Sequence, residues 1–205
     1  PFPHYDELKE PVTPPRAPNL SFRGLGVRND AVNLCKDCPN ANELAWYAEK
    51  GDPRFDADIL WTCMGHLRKG GFWLKKKAKI ASDNGKTISD IENKAPDNTD
   101  WRIATSPVDF SQKFTNLTPP SSVDINDYFF LPAFGNANDS PSVKSFYMAG
   151  DNASFWSSSA EASINSLFKQ AFALNFYMNG NNELVLDISS DFSRNYNIKN
   201  VWKFE

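Results

Sequence analysis

The sequence has little cysteine or histidine, no long apolar run and no excess of charge of one sign. Three cysteines in 205 residues are too few for a disulfide framework. Two histidines leave little for histidine-based catalysis, and no nucleotide-binding, hydrolase or metalloprotease motif is present. The net charge is −3 with both signs interspersed, which argues against a nucleic-acid partner. No apolar run approaches the ~20 residues that span a bilayer, so we expect no direct membrane insertion.

Aromatic residues and prolines are abundant instead. Phe, Trp and Tyr make up 14% of the chain, which is enough for one aromatic-rich core and predicts a single domain over residues 21–205. Six prolines fall within the first eighteen residues, so residues 1–20 are predicted to be an extended lead or linker. The chain begins without methionine or a signal peptide, and we expect it to be a mature or truncated part of a longer protein.

Two helices are predicted in the first third of the chain. In CPNANELAWYAEKGDP, Asn40 or Asn42 can cap a helix, and Gly51 followed by Pro53 can stop it. The second helix is predicted from about Asp56, its expected cap, through ADILWTCMGHLRK. The apolar residues at helical spacing there are Ile59, Leu60, Cys63, Met64 and Leu67.

Most of the sheet is predicted in the carboxyl half. LSFRGLGV and GFWLKKKAKI are predicted strands, and the four lysines are interpreted as protection of an exposed edge. Residues 81–123 are predicted to be long surface loops. DYFFLPAFGN, NASFWSSSAEA, KQAFALNFYMNGNNELVLDIS and NIKNVWKFE are predicted strands, with MNGNN as a hairpin turn. The fold class is therefore α+β, with two helices plus a twisted, mostly antiparallel sheet with long loops.

Alternation along the last strands predicts which side chains are buried. The inward set is Phe172, Leu174, Phe176, Leu184, Leu186 and Ile188, followed by Trp202 and Phe204 in the final strand. The outward set is Ala173, Asn175, Tyr177, Val185, Asp187 and Ser189. Trp156 is predicted to be buried and needed for folding.

The three cysteines allow three interpretations: a zinc site, a disulfide or buried thiols. Cys35, Cys38, Cys63 and His66 have the local spacing of a zinc site, C-x2-C followed by C-x2-H. A disulfide or plain buried thiols are the other interpretations, and the apolar helical pattern around CMGH favours them over zinc. For the same reason, Cys63 and His66 are interpreted as packing residues rather than a catalytic dyad. We therefore predict no metal and no cofactor.

The carboxyl half carries a specific order of motifs. YFFLPAFGN, GDNASFWSSSA, QAFALNF and SRNYNIKNVWKF together resemble the signature of the major paralogous (FISUMP-type) domain of bacterial surface proteins, over roughly residues 128–205. The segment from CPNANELAW to KKKAKI is similar to the upstream half of gut-bacterial fimbrial and pilus-tip proteins that carry this domain. The resemblance implies a C-type-lectin-like fold, in the branch shared with formylglycine-generating enzymes. It also implies an extracellular, cell-surface location, at the outer membrane or pilus tip.

Two activities of related families lack their residues in this chain. Formylglycine-generating enzymes use cysteines late in the sequence, and here no cysteine follows Cys63. Calcium-dependent sugar-binding lectins use Glu-Pro-Asn or Gln-Pro-Asp with Trp-Asn-Asp. Here Trp156 is followed by three serines, and the Pro-Asn pair at 39–40 lies in the wrong half. The resemblance therefore implies a display scaffold rather than an enzyme or a calcium-dependent lectin.

The carboxyl end is unusually rich in asparagine, a poor strand former. Residues 175–200 are similar to the variable region in ligand-binding proteins of diversity-generating retroelements, whose adenine-directed mutagenesis diversifies asparagine codons. The alternative is an ordinary adhesin surface in which these asparagines only form turns, and the sequence leaves both open.

The predicted function is non-enzymatic, extracellular ligand binding by an adhesin. Its partners would be a protein or glycan on another cell or host surface, with an upstream domain or pilus subunits of the same assembly. The alternative is a structural pilus or fimbrial subunit whose last strands join neighbours by strand addition. The predicted binding residues are Tyr147, Asn175, Tyr177, Asn179, Asp187, Phe192, Asn195, Tyr196 and Asn197, a mixture of small polar and aromatic residues typical of adaptable binding surfaces.

Overall fold

The computed structural model of the chain describes residues 37–63, 65–103, 110–140, 143–160, 170–192 and 197–198. Several predictions fall outside these residues: the proline-rich lead, the strand at LSFRGLGV, Cys35, Asn195, Tyr196, Trp202 and Phe204. The described part is α+β, with three α-helices and strands that pair antiparallel. None of the helices in this part has the length and apolar character needed to cross a membrane.

The first helix, α1 (Ala41–Lys50), forms as predicted. Asn40 caps it by accepting the backbone N–H groups of Asn42 and Glu43 through Oδ1, at 2.9 and 3.1 Å. The Glu43 carboxylate in turn accepts the Asn40 N–H at 2.7 Å, which completes a reciprocal capping box. Gly51 ends the helix, and its N–H donates to the Tyr47 carbonyl at 3.0 Å.

The second predicted helix is wrong, because that segment forms a β-hairpin. Its strands are β1 (Arg54–Cys63) and β2 (His66–Lys75). Cys63 pairs with His66 across a two-residue connection, and Gly65 in that connection has φ of +79°. Glycine adopts this left-handed conformation without the Cβ clash of other residues, as tight hairpins require.

Two of the five apolar residues whose spacing suggested a helix are exposed rather than buried. Leu60 and Leu67 are 63% and 66% exposed, on the distal part of the hairpin. Asp56, predicted to cap a helix, lies where the register of β1 shifts. Its Oδ1 accepts the N–H groups of Asp58 and Ile59, both at 3.1 Å. The aspartate therefore stabilises a bulge within the strand.

The lysine-rich segment is not an edge strand. β2 lies between β1 and β4 (Tyr128–Pro132) in a three-stranded sheet, and the chain then enters α2 (Lys77–Asp83). Lys75 on β2 and Lys79 on α2 both bind the Asp83 carboxylate, at 2.9 and 2.8 Å. The edge-protection interpretation is wrong, since two of these lysines form ion pairs around the end of α2.

The long loops predicted for residues 81–123 contain further regular structure. A third helix, α3 (Ile88–Asn93), begins at a second capping box between Thr87 and Asp90. Strand β3 (Phe110–Phe114) follows, and a 3₁₀ turn (Ile125–Asp127) precedes β4. The capping box is a helix-start signal that the composition of this region obscured.

A buried asparagine holds the connection after α3 against α1. Asn42 is 0% exposed, and its Nδ2 donates to the Glu92 carbonyl at 3.2 Å and to Asp100 Oδ1 at 2.9 Å. Its Oδ1 accepts the Trp101 N–H at 2.8 Å. Because both amide hydrogens and the amide oxygen are hydrogen-bonded, Asn42 is buried without an unpaired polar group.

The last strands form two further sheets. The four-stranded sheet has the order β3–β9–β8–β7, where β7 is Asn152–Ala160, β8 is Gln170–Met178 and β9 is Leu184–Phe192. The predicted hairpin turn connects β8 and β9. The small sheet has the order β10–β5–β6, with β5 (Asn136–Ser140), β6 (Val143–Tyr147) and β10 (Asn197–Ile198). A parallel bridge between Gly135 and Ala153 connects it to β7.

The core lies between α1, the three-stranded sheet and one face of the four-stranded sheet. The rings of Phe72 on β2 and Phe176 on β8 stack with centroids 4.7 Å apart, which joins the two sheets. Tyr47 of α1 packs edge-on against Phe129 of β4 at 5.6 Å. Leucines contribute beside the aromatic residues, so the core is mixed. Its largest fully buried members include Tyr47, Phe72, Phe155, Phe172, Phe176, Leu44, Leu74, Leu131, Leu174 and Leu184.

Candidate functional site

The four-stranded sheet has one face in the core and one face turned away from it. The predicted inward residues Phe172, Leu174, Phe176, Leu184, Leu186 and Ile188 are all 0% exposed. We call the opposite side the outer face. It carries Ser111, Lys113, Asn152, Ser154, Trp156, Ala173, Asn175, Tyr177, Val185 and Asp187, which alternate with the inward set in the strand register.

A polar row crosses the middle of the outer face. Ser111, Asp187, Asn175 and Ser154 are consecutive register partners on β3, β9, β8 and β7. Asn175 Nδ2 donates to Asp187 Oδ1 at 2.5 Å, a hydrogen bond to a charged group and therefore stronger than a neutral one. Both side chains are half-buried, Ser111 is exposed and Ser154 is buried. Four strands thus present small polar groups in one line.

The neighbouring row combines a lysine, a tyrosine and an asparagine. Lys113, Val185, Tyr177 and Asn152 are register partners. Val185 lies on the outer face as predicted but is only 3% exposed, so it packs rather than facing solvent. Tyr177 is half-buried beside it. Asn152 Oδ1 is buried without a hydrogen-bond partner among the described residues.

The exposure of side chains on the outer face differs between the row that contains Trp156 and strand β3. Ala173 and its register partner Trp156 are 0% and 2% exposed, whereas Ser111 and Lys113 on β3 are exposed. The Trp156 end is therefore part of the packed interior, as predicted for Trp156. The accessible part of the outer face lies towards β3 and the β8–β9 turn.

The β8–β9 turn is organised by Asn179, one of the predicted binding residues. Its Oδ1 accepts the N–H groups of Asn181 and Glu183, at 2.9 and 3.0 Å, and its Nδ2 donates to Glu183 Oε2 at 2.7 Å. Hydrogen bonds from Asn179 and from Lys113 lower the pKa of Glu183. Asn182 has φ of +58°, a left-handed conformation that asparagine tolerates. Asn179 and Asn182 therefore have structural roles in the turn.

Three of the predicted binding residues lie away from the outer face and the β8–β9 turn. Tyr147 pairs with Asn136, and Asn197 with Asn138, so both belong to the small sheet. Phe192 pairs with Gln170 at the end of β9 away from the turn. It lies five residues beyond Asp187, which corresponds to about 17 Å along a strand. Asn175, Tyr177, Asp187 and Asn179 are brought together, whereas Tyr147, Phe192 and Asn197 are placed elsewhere.

A charged cluster that the sequence did not single out lies where α1 leads into β1. Arg54 binds Asp52 through two nitrogens, at 3.0 and 2.8 Å, and the Tyr128 hydroxyl donates to the same carboxylate at 2.5 Å. Burial raises the pKa of Asp52, but the hydrogen bonds from Arg54 and Tyr128 outweigh it and lower the pKa overall. Burial and the Asp52 carboxylate raise the pKa of Tyr128. The cluster holds a carboxylate ionised and a phenol protonated, which suits a structural link between β1 and β4.

A second ion cluster connects the three helices. Lys77 of α2 binds Glu43 of α1 at 2.7 Å and Glu92 of α3 at 2.9 Å. Burial lowers the pKa of Lys77, but hydrogen bonds to Glu43 and Glu92 raise it overall. The lysine is thus held charged between two carboxylates, and its contacts account for a packing role.

The cysteines do not form a recognisable metal centre in the described part of the chain. Cys38 is buried just before α1, whereas Cys63 and His66 are partners at the tip of the β1–β2 hairpin. Within the described ranges, no group of three His, Cys, Asp or Glu side chains could hold a metal ion. Cys35 lies outside those ranges.

A groove of about 350 Å³ separates the distal hairpin from the turn at residues 149–151, and Leu67 and Arg68 contribute to its lining. Gly150 lines this groove, and its backbone lies close to that of Gly70. A Cβ added to Gly70, whose φ is +88°, would lie 2.2 Å from the Gly150 carbonyl oxygen. This contact fixes the base of the hairpin against the β6–β7 connection.

The chain was compared with known families, curated proteins and solved structures, and none of them matches it. The α+β class and the strand register therefore stand on the structure alone.

Proposed function

We propose that this chain is a non-enzymatic, extracellular ligand-binding domain, and that the accessible part of its outer face is the recognition surface. That surface consists of Ser111, Lys113, Asn175, Tyr177 and Asp187. The observation that supports the proposal is their register: five polar or aromatic residues from three neighbouring strands lie in two adjacent rows of one sheet face.

Rigidity supports the same assignment. Six residues on the opposite face of β8 and β9 are fully buried, so the strands that carry these side chains are held by the core. They are Phe172, Leu174, Phe176, Leu184, Leu186 and Ile188. Side chains on such strands can be replaced without moving the backbone. Tyrosine surrounded by small polar groups is the composition of adaptable binding surfaces, because tyrosine gives contact area at low entropic cost and the polar groups form varied hydrogen bonds.

The resemblance to bacterial surface proteins supplies the rest of the proposal. It supports a C-type-lectin-like fold, a location at the cell surface or pilus tip, and a protein or glycan ligand on another cell. Diversification of asparagine positions, as in diversity-generating retroelements, is part of this proposal for Asn175. It is not proposed for Asn179, because that side chain is committed to the turn.

Binding of the labelled protein to intact epithelial and bacterial cells, measured by flow cytometry, tests the proposal. Tyr177→Ala and Asn175→Ala are expected to weaken binding by about tenfold or more, as substitutions at the centre of an interface do. Lys86→Ala, an exposed change between α2 and α3, is the matched control and should bind like the wild type. Equal binding by Tyr177→Ala and the control would contradict the assignment of the surface.

A structural subunit joined by strand addition is the second candidate. Its support is that β3 forms an edge of the four-stranded sheet within the described residues. Against it, β9 is already paired on both sides, with β3 and β8. Light scattering over a range of concentrations separates the candidates: the binding domain should remain a monomer, whereas strand addition predicts concentration-dependent chains that proline substitutions in β3 abolish.

A further inference from the structure

The chain contains two Asn-Gly dipeptides, Asn84–Gly85 after α2 and Asn179–Gly180 in the β8–β9 turn. Such a dipeptide can react without an enzyme. The backbone nitrogen of the glycine attacks the asparagine Cγ, a C–N bond forms, and the side-chain amide leaves as ammonia. Water then opens the cyclic imide to aspartate or isoaspartate. Glycine offers the least steric hindrance to this attack because it has no Cβ.

The side chain of Asn179 forms three hydrogen bonds. Its amide oxygen accepts two backbone N–H groups, from Asn181 and Glu183, and its amide nitrogen donates to the Glu183 carboxylate at 2.7 Å. The Asn179 N–H also donates to the Glu183 carbonyl at 3.0 Å, and its carbonyl accepts the Asn182 N–H at 3.1 Å. Rotating Cγ towards the Gly180 nitrogen requires these side-chain bonds to break, so the turn opposes the reaction.

The side chain of Asn84 is held at one point only within the described residues. Its Nδ2 donates to the Ile80 carbonyl at 2.7 Å. The nitrogen of Gly85 makes a long hydrogen bond, 3.3 Å, to the Ser82 carbonyl. Gly85 is exposed, and a Cβ there would meet no described atom within 4 Å. The target carbon is therefore less constrained than at Asn179, whereas access to the attacking nitrogen does not separate the two sites, because Gly180 is also exposed and no described atom lies within 4 Å of a Cβ built on it.

We infer that Asn84 is a site of spontaneous deamidation, and that the Asn179 hydrogen bonds protect the second Asn-Gly dipeptide from the same reaction. The product at residue 84 carries a carboxylate in place of an amide. It loses the donor to the Ile80 carbonyl and puts a second negative charge beside Asp83, at the carboxyl end of α2. A negative charge there is unfavourable, because the helix dipole favours cations at that end.

Peptide mapping by mass spectrometry, after incubation of the folded protein in mildly alkaline buffer, tests the inference. Asn84 is expected to react at least about tenfold faster than Asn179, since Asn179 has two more side-chain hydrogen bonds and each contributes roughly a factor of five. In denaturant the two rates should converge. Equal rates in the folded protein, or a faster reaction at Asn179, would overturn the inference.

A pair of variants at Glu183 tests the protective contact itself. Glu183→Ala removes the acceptor of the Asn179 amide, and should raise the rate at residue 179 about fivefold while leaving the rate at residue 84 unchanged. Glu183→Gln keeps an acceptor oxygen and should retain most of the protection. Melting curves of both variants establish that the fold is intact. If Glu183→Ala leaves the Asn179 rate unchanged, the proposed protection by this contact is wrong.

Discussion

Asn175 and Asp187 face each other across β8 and β9, and Asn175 Nδ2 donates to Asp187 Oδ1 at 2.5 Å. The pair lies at the centre of the outer face and belongs to the proposed recognition surface. It also contributes to the sheet that displays it, because cross-strand pairs are a unit of sheet stabilisation. Effects on binding and on stability must therefore be measured separately for each of these residues.

A double-mutant cycle on Asn175 and Asp187 should give a coupling free energy of about 1–2 kcal/mol, because a hydrogen bond to a charged group contributes more than a neutral one. Urea denaturation of Asn175→Ala, Asp187→Ala and the double variant measures it. Ser111→Ala, exposed in the same polar row, should change the free energy of unfolding by no more than about 0.5 kcal/mol. A coupling free energy near zero would show that the hydrogen bond between Asn175 and Asp187 does not contribute to the stability of the fold.

Trp156 and Tyr177 lie on the same sheet face but differ in burial. Trp156→Ala is expected to cost about 3–5 kcal/mol, because the side chain is 2% exposed and leaves a large cavity. Tyr177→Ala, at a half-buried position, is expected to cost about 1 kcal/mol or less. In thermal melts, each kcal/mol should lower Tm by about 2–4 °C in a chain of this size. Similar losses for both variants would place Tyr177 in the packed interior.

Gly70 and Gly65 form a matched pair of left-handed glycines in one hairpin. Alanine at either position meets the cost of positive φ, about 1–2 kcal/mol. Gly70→Ala also places a Cβ 2.2 Å from the Gly150 oxygen, which adds about 1–3 kcal/mol of overpacking. In the part of the chain that the structure describes, no atom lies within 4 Å of the corresponding Cβ at Gly65. Denaturation midpoints should therefore fall further for Gly70→Ala, and equal losses would contradict the close contact.

Asn42 is the internal polar link between α1 and the segment after α3. Asn42→Ala should cost about 1–3 kcal/mol, because it leaves the buried Trp101 N–H without its acceptor. Asn181→Ala, exposed in the β8–β9 turn, serves as the control and should be close to neutral. Hydrogen exchange at the Trp101 amide reports the contact directly: its protection should be lost in Asn42→Ala and kept in the control.

Asp100 makes stability depend on pH in the acidic range. Hydrogen bonding by Arg102 outweighs burial and, with donation from Asn42, lowers the pKa of Asp100 from 3.8 to about 2. Because the folded-state pKa lies below the unfolded one, the ionised carboxylate stabilises the fold above pH ~4. This contribution is lost as the pH falls through 3.8 towards 2. Urea midpoints across this range should fall less steeply in Asp100→Asn than in the wild type, and identical slopes would exclude the linkage.

Local signals were sufficient for several elements. The α1 capping box involves residues three positions apart, and the inward residues of β8 and β9 follow a period of two, so neighbours in sequence determine both. Helical spacing failed for Leu60 and Leu67, because it identifies apolar positions without showing whether they are buried. Asp56 was predicted to cap a helix by accepting backbone N–H groups. Its carboxylate does accept two such groups, but it stabilises a bulge in β1 instead of a helix end.

The candidate site could be predicted only in part, because it combines residues set by local alternation with residues set by long-range strand pairing. Asn175, Tyr177 and Asp187 follow from alternation within one hairpin, which is a local property. Ser111 and Lys113 were missed because β3 pairs with β9 across more than seventy residues of chain, and no local pattern specifies that register. The asparagines near the carboxyl end also differ in their structural roles. Asn179 and Asn182 belong to the β8–β9 turn, whereas Asn175 lies on the outer face.

The pairing of β3 with the distant strand β9 has a genetic consequence. The proposed surface is encoded by two stretches of the gene, one for residues 110–114 and one for the carboxyl-terminal strands. A library restricted to the tail would vary only part of the footprint and leave Ser111 and Lys113 as constant neighbours in every clone. Recombining the two stretches independently would sample contact combinations that neither stretch reaches by itself.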